Sequence, residues 1–331
     1  TISRMKSAWI EPSDCPSSKE EKKVFGFSEF CRRMIDLMPF IKSAADETVF
    51  ACLTVFKQHR WNCSTVFKAP YFESDLTRGT KEQAFVYALS AAAVVHQVSK
   101  ACSGGKLEFC QCGLGGTLVI NNENNELPTE NYRWQGCSDN VEYGISVSQE
   151  WADAPWKPKL RLSRDLTSGF LDQLDIMAIE KERKSVQTEK KISTVLQSGS
   201  KKCKCHGISS SCHVQTCWNS LPSMTEIAER LKSKYLIAQQ LKPKLHFFEI
   251  SSSKSDLVFL RPSSDYCELT ERRECNGKNQ NSLDSCRNLC CDRGHKSEIV
   301  EESEQCHCRY VHCCYVQCKK CTYFTEKNFC N

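Results

Sequence analysis

Apolar residues recur at helical spacing through much of the first 240 positions and lose any lasting period after residue 256. A first helix is expected from Ser28, broken at Pro39, whose nitrogen has no hydrogen to donate. A second follows, with Phe40, Ile41, Ala44, Ala45, Val49, Cys52, Leu53 and Phe56 on one stripe. A third starts at Thr80, with Gln83 three positions on as a capping box, and runs through Phe85 to Lys100; its Ala91-Ala92-Ala93 run suits close packing at the centre of a core. His96 within it reads as a packed core histidine. Ser138 or Asp139 is expected to cap a short helix after Cys137, and Leu171 to Lys191 reads as another helix with a partial apolar stripe. Ser223 and Glu226 box a last one, with Ile227, Leu231, Tyr235, Ala238 and Leu241 on its apolar face. Asn121 to Asn131 is polar and reads as a loop; Leu245 to Ile250 and Leu257 to Leu260 read as short strands.

Cysteine content changes this picture. The chain has 24 cysteines in 331 residues, and 12 of them fall within the last 65. Disulfides or zinc could use them. Cys318-x-x-Cys321 and Cys203-x-Cys205-His206 are zinc-like fragments, but a structural zinc site needs two such pairs at regular separation. The adjacent pairs Cys290-Cys291 and Cys313-Cys314 fit that geometry poorly, so no metal is expected. A disulfide framework points to an oxidising, extracellular compartment. No run of 18 apolar residues occurs, so no membrane span is expected. Asn62-Cys63-Ser64 is a glycosylation sequon. Net charge is +5, with basic residues densest over Lys181–Lys204. This suits mild attraction to heparan sulfate, and the compartment argues against nucleic acid.

The most organised stretch is Lys201 to Trp218, KKCKCHGISSSCHVQTCW. Pairing Cys203 with Cys217 and Cys205 with Cys212 makes two rungs of one hairpin around the tip His206–Ser211. Gly207 offers backbone freedom for the reversal, and a loop stapled twice at its base presents what its tip carries, here three serine hydroxyls. A secreted hydrolase using Ser209 and His206 is one alternative. It lacks a G-x-S-x-G elbow, and a doubly bridged tip offers no pocket to exclude water. A matrix protein or a binding antagonist is another.

This stretch closely resembles the Wnt family signature CKCHG-x-S-G-S-C. So do the RWNCS run at 60–64, Trp134-Gln135-Gly136-Cys137-Ser138-Asp139-Asn140 through Gly144, Ser264-Asp265-Tyr266-Cys267, and the cysteine spacing from Cys290 to Cys330. The sequence departs from the pattern in carrying Gln135 for glycine, Ser210 for glycine and His312 for tryptophan, and in lacking the family's H-N-x-E-A-G-R helix motif before the hairpin. The resemblance implies an α+β, disulfide-rich fold. Residues 1–240 form a helical N-terminal domain carrying the stapled hairpin, 241–256 a linker, and 257–331 a small cysteine-knot-like domain with a long β-hairpin. It implies the disulfides Cys15–Cys31, Cys52–Cys63, Cys102–Cys110, Cys112–Cys137, Cys203–Cys217 and Cys205–Cys212 in the first domain. In the second it implies Cys267–Cys291, Cys275–Cys286, Cys290–Cys330, Cys306–Cys321, Cys308–Cys318 and Cys313–Cys314.

The implied function is that of a secreted signalling ligand and not an enzyme. It carries no cofactor beyond a covalent palmitoleoyl group on Ser209 and is glycosylated at Asn62. Its implied partner is the cysteine-rich domain of a Frizzled-type receptor, gripped at two tips. Lys204, His206, Gly207, Ile208 and Ser209 form one tip, and Tyr310, Val311, His312, Cys313, Cys314 and Tyr315 the other. A Wntless-like lipid carrier and an LDL-receptor-related or receptor-tyrosine-kinase co-receptor complete the expectation.

Overall fold

A computed structural model describes residues 11–15, 25–68, 74–113, 132–154, 200–240, 257–277, 282–311 and 314–331. The Asn121–Asn131 loop, the Leu171–Lys191 helix, the Leu245–Ile250 strand and the 241–256 linker lie outside these residues, as do His312 and Cys313. The fold mixes helices with β-sheet under many disulfides. It divides into two compact units, one of residues 1–55 and 65–263, the other of 56–64 and 264–331.

The first unit is built on helices. α1 (Phe25–Arg33) and α2 (Met38–Phe56) are separated by a 3₁₀ turn over Ile35–Leu37. Pro39 therefore opens α2 instead of breaking a helix. In the first turn the amide it lacks has no intrahelical partner anyway. α3 (Lys81–Ser103) is the central helix, and Ala91, Ala92, Ala93, Val94, Val95 and Val98 are all buried on it. Thr80 caps it by accepting from the Gln83 amide at 3.2 Å, while Gln83 Oε1 accepts from Gly79 N at 2.7 Å. The box is thus displaced by one residue from the expected reciprocal pair.

α4 (Val141–Asp153) lies close against α3. A Cβ at Gly144 would sit 2.8 Å from the Val95 carbonyl oxygen, so only glycine permits this approach. Ser148 Oγ donates to the Ala91 carbonyl at 2.9 Å. Trp151 stacks near Phe27 and Phe30 of α1, at ring distances of 4.6 and 5.2 Å. His96 is 4% exposed, with Nδ1 3.5 Å from Glu47 Oε2; bonding to His96 is the largest influence holding the Glu47 carboxyl below its usual range.

Among the described residues, two small sheets complete this unit. β1 (Tyr132–Gln135), β2 (Ser200–Cys205) and β3 (Val214–Ser220) form one, with β3 central, antiparallel to β2 and parallel to β1. α5 (Met224–Leu236) follows under the expected Ser223–Glu226 capping box and buries Ile227, Ala228, Leu231 and Tyr235. β4 (Gln239–Gln240) pairs in parallel with β5 (Val258–Phe259). That pairing keeps residues 257–263 with the helical unit. The second unit accordingly begins at Ser264, later than the expected boundary at 257, and takes in 56–64.

The second unit has little apolar interior. β6 (Glu274–Cys275), the short α6 (Cys286–Leu289), β7 (His295–Val311) and β8 (Tyr315–Cys330) surround a cluster of Cys275, Cys286, Leu289, Cys290 and Cys330. β7 and β8 make one long antiparallel hairpin, with β6 beside β8. Arg273 donates to the carbonyls of Lys57, His59 and Arg60 at 2.7 to 2.9 Å, binding 56–64 into this unit. Trp61, 2% exposed, packs on Phe56 at 4.9 Å.

Candidate functional site: two stapled hairpin tips

The first tip rests on the β2–β3 register. Cys203 and Cys217 are directly opposite, with Cα atoms 4.1 Å apart, and their disulfide makes the outer rung. Cys205–Cys212 makes the inner rung, Cα atoms 4.6 Å apart. Beyond it the chain reverses over six residues. His206 N donates to Val214 O at 2.7 Å, Gly207 N to Ser211 O at 2.9 Å, and Ser211 N to Ile208 O at 3.1 Å. His206 Nε2 lies 2.9 Å from Thr216 Oγ1 and so holds the hairpin flank.

Gly207 is needed for space and not for backbone freedom. Its φ is −70°, which any residue adopts, but a Cβ there would approach the Ser211 carbonyl oxygen to 2.5 Å. The left-handed residues are Ser209 (φ 55°) and Ser210 (φ 62°). This explains why the Wnt pattern has glycine where Ser210 stands, since left-handed backbone costs an ordinary residue energy. Ser209 and Ser210 are exposed, and Ile208 is 93% exposed. The tip therefore presents an isoleucine side chain and two hydroxyls together.

What anchors this hairpin is the Gly136–Asn140 segment. Gly136 N donates to Cys217 O at 2.7 Å and Asp139 N to Asn219 O at 3.1 Å. Ser138 Oγ accepts from Asn219 N at 3.0 Å. Asp139 uses both carboxylate oxygens, Oδ2 accepting from Leu221 N at 2.7 Å and Oδ1 from Ser103 Oγ at 2.7 Å. Neither residue caps α4. Asn140 does so, accepting from Tyr143 N at 3.1 Å. The disulfides Cys102–Cys110 and Cys112–Cys137 hold the adjoining loop, and Cys15–Cys31 closes the entry segment. Cys52 and Cys63 are each disulfide-bonded.

The second tip ends β7–β8. Cys306–Cys321 and Cys308–Cys318 staple it, and the register shifts by one residue between Cys306 and Arg309. His307 (φ 47°) absorbs this bulge. Past the bulge Tyr310 faces Val316 and Val311 faces Tyr315, so each face of the ribbon carries one apolar pair. Tyr310 is 72%, Tyr315 60% and Val316 61% exposed. Val316 completes the tip, and the cross-strand pairing that reveals it could not be read without the register. Cys314 is described and exposed, whereas its neighbours His312 and Cys313 are not among the described residues. Cys267–Cys291, Cys275–Cys286 and Cys290–Cys330 hold the base. At the expected glycosylation site, Asn62 Oδ1 accepts from Ser64 N at 3.2 Å across a left-handed, buried Cys63. Among the described residues no helix is long and apolar enough to cross a membrane.

A helical unit bearing one doubly stapled hairpin and a cystine-built unit bearing another define a class of disulfide-rich, two-unit extracellular-type protein. The wnt family model matches residues 21–331, and the chain belongs to the Wnt family. It is 37% identical to Protein Wnt-11 of Gallus gallus over 97% of this chain and 92% of that protein. It is 34% identical to Protein Wnt-16 of Bos taurus over 91% of this chain and 84% of that one. Among solved structures, a chain of human WLS in complex with WNT8A matches at a TM-score of 0.56 and 27% identity. That match covers 89% of this chain and 94% of that one.

Proposed function

We propose that this Wnt-family chain is a secreted ligand acylated on Ser209, and that it grips the cysteine-rich domain of a Frizzled-type receptor with both tips. The observation that carries this reading is the first tip: two disulfides and three backbone bonds hold Ser209 exposed beside a 93% exposed Ile208. A monounsaturated chain on Ser209 would extend that apolar tip. A buried acyl chain stabilises a complex by about 0.8 kcal/mol per methylene, enough for a long chain to dominate affinity. Such a chain also calls for a carrier. The likeness to a complex of WNT8A with human WLS supports a Wntless-like partner for this protein. At the second tip Tyr310, Val311, Tyr315 and Val316 supply apolar contact without a lipid. His206 shapes the turn through Thr216, which supports a ligand that performs no catalysis of its own. The exposed Lys201, Lys202 and Lys204 along β2 suit heparan sulfate, and Asn62 is the glycan acceptor.

Mass spectrometry of the Lys204–Trp218 peptide from protein secreted by cells that acylate Wnt proteins tests this. A palmitoleoyl mass on Ser209, lost in Ser209→Ala together with receptor-domain binding, is the expected result. An unmodified Ser209 in receptor-active protein overturns the lipid grip. The mass on Ser210 instead would retain the grip and move the residue.

A further inference from the structure

The middle of the C-terminal hairpin, well below its tip, has two unlike faces. Alternate residues share a face, and the register places Lys296, Glu298, Val300 and Glu302 with Phe329, Lys327, Thr325 and Tyr323. On this face charge is neutralised internally. Lys327 Nζ lies 2.5 Å from Glu302 and 3.4 Å from Glu274, and Val300, Thr325, Glu302 and Lys327 are all partly covered.

The opposite face pairs Ile299 with Glu326 and Glu301 with Phe324. Ile299 and Phe324 are therefore diagonal neighbours, close enough for these side chains to form one patch. They are 76% and 74% exposed, the most exposed large apolar side chains after Ile208 among the described residues. Glu301 and Glu326 occupy the other diagonal, and neither has an ion-pair partner among the described residues. The nearest basic residues on this face, Lys320 opposite Gln305 and His295 opposite Cys330, each lie two rows beyond the patch. Apolar surface left open on a rigid ribbon, framed by two unneutralised carboxylates, is what a partner would cover and neutralise.

We propose that this face is a docking surface for a second protein that presents basic side chains around an apolar centre. The near edge of the patch, Phe324, lies nine residues along β8 from Tyr315, or roughly 30 Å of strand. A partner here can thus bind while the second tip holds a receptor. The inference is independent of acylation and of tip contact.

The probe is a fluorescein-labelled peptide alternating arginine and leucine, with a glutamate and leucine counterpart, titrated against the secreted full chain and read by anisotropy. The arginine peptide is expected to bind, and to weaken as salt is raised to about 0.15 M. Glu301→Lys with Glu326→Lys should weaken it by about tenfold or more and transfer preference to the glutamate peptide. Ile299→Ser with Phe324→Ser should abolish binding of both. Tyr310→Ala with Tyr315→Ala should leave binding unchanged while lowering receptor-domain affinity, which separates this site from the tip. Circular dichroism of each variant establishes that it is folded. Equal affinity across the hairpin variants, no binding of the arginine peptide, or loss only in the tip variant would overturn the proposal. So would a drop in sedimentation coefficient on Ile299→Ser with Phe324→Ser, which would give this face to a second copy of the chain.

Discussion

At the first tip, consecutive left-handed serines lie inside a loop closed by two nested disulfides, and glycine relieves such strain most fully. Ser209 cannot be glycine and keep its hydroxyl. Ser210 can, and Ser210→Gly should stabilise the tip by about 1 kcal/mol by removing left-handed strain. Slower reduction of Cys205–Cys212 by dithiothreitol is the readout; unchanged or faster reduction would contradict the strain. Gly207 fails in the opposite way. In Gly207→Ala the new methyl meets the Ser211 backbone, which belongs to a loop closed by Cys205–Cys212 and has little room to retreat. Overpacking of this kind costs typically 1–3 kcal/mol. The variant is expected to show reduced acyl occupancy at Ser209 and reduced receptor-domain binding. Full occupancy would mean that the tip tolerates the shift.

The elements that hold the tip are less obvious than the tip. Asp139 joins the α3 terminus, through Ser103, to the end of β3, through Leu221 N, so one carboxylate ties the hairpin base to the central helix. Asp139→Ala leaves both donors without it and should cost about 1–3 kcal/mol for the unsatisfied amide alone. Amide exchange should rise across β3 while the centre of α3 stays protected. Even loss over both would point to global unfolding. The motif around Asp139 is recognisable in sequence, but it braces β3 where a helix cap is expected. Capping needs only a local pattern, whereas bracing β3 depends on a strand some eighty residues away. The same limit explains Pro39, whose place inside or at the start of a helix turns on where Ile35–Leu37 stops. Nested cysteines, helix stripes and the Ser223 box were legible because neighbours in sequence define them. In the long hairpin, register decides which apolar residues share a face, and no period announces it. There Lys327 draws Glu302 below the usual carboxylate range through their hydrogen bond, and Glu302 in turn raises Lys327. A lowered carboxylate contributes stability above its unfolded pKa and loses it as pH falls through the folded one; a raised lysine contributes below its ordinary range. Protection of the β7–β8 base should therefore fall as pH drops below about 4.3. Lys327→Met should flatten that dependence.

The two units of the molecule are held by different physics. The helical unit buries Phe30, Leu37, Ile41, Phe85, Leu89, Val94, Val95 and Ile227, an aliphatic and aromatic core that water exclusion alone can favour. In the cluster at the heart of the second unit, four of five members are cysteines and Leu289 is the fifth. Its stability comes largely from closed loops, each worth about 2–5 kcal/mol by restricting the unfolded chain. Reduction should thus act unevenly. With dithiothreitol titrated at neutral pH and hydrogen exchange followed by mass spectrometry, β7 and β8 should lose protection first, while α2, α3 and α5 keep theirs over a further range. Simultaneous loss would mean that the units fold as one cooperative body, and a single tip could not then be softened without the other. Sequential loss would give the second tip and the Ile299–Phe324 face a stability set by redox state, separate from the helices that carry Ser209.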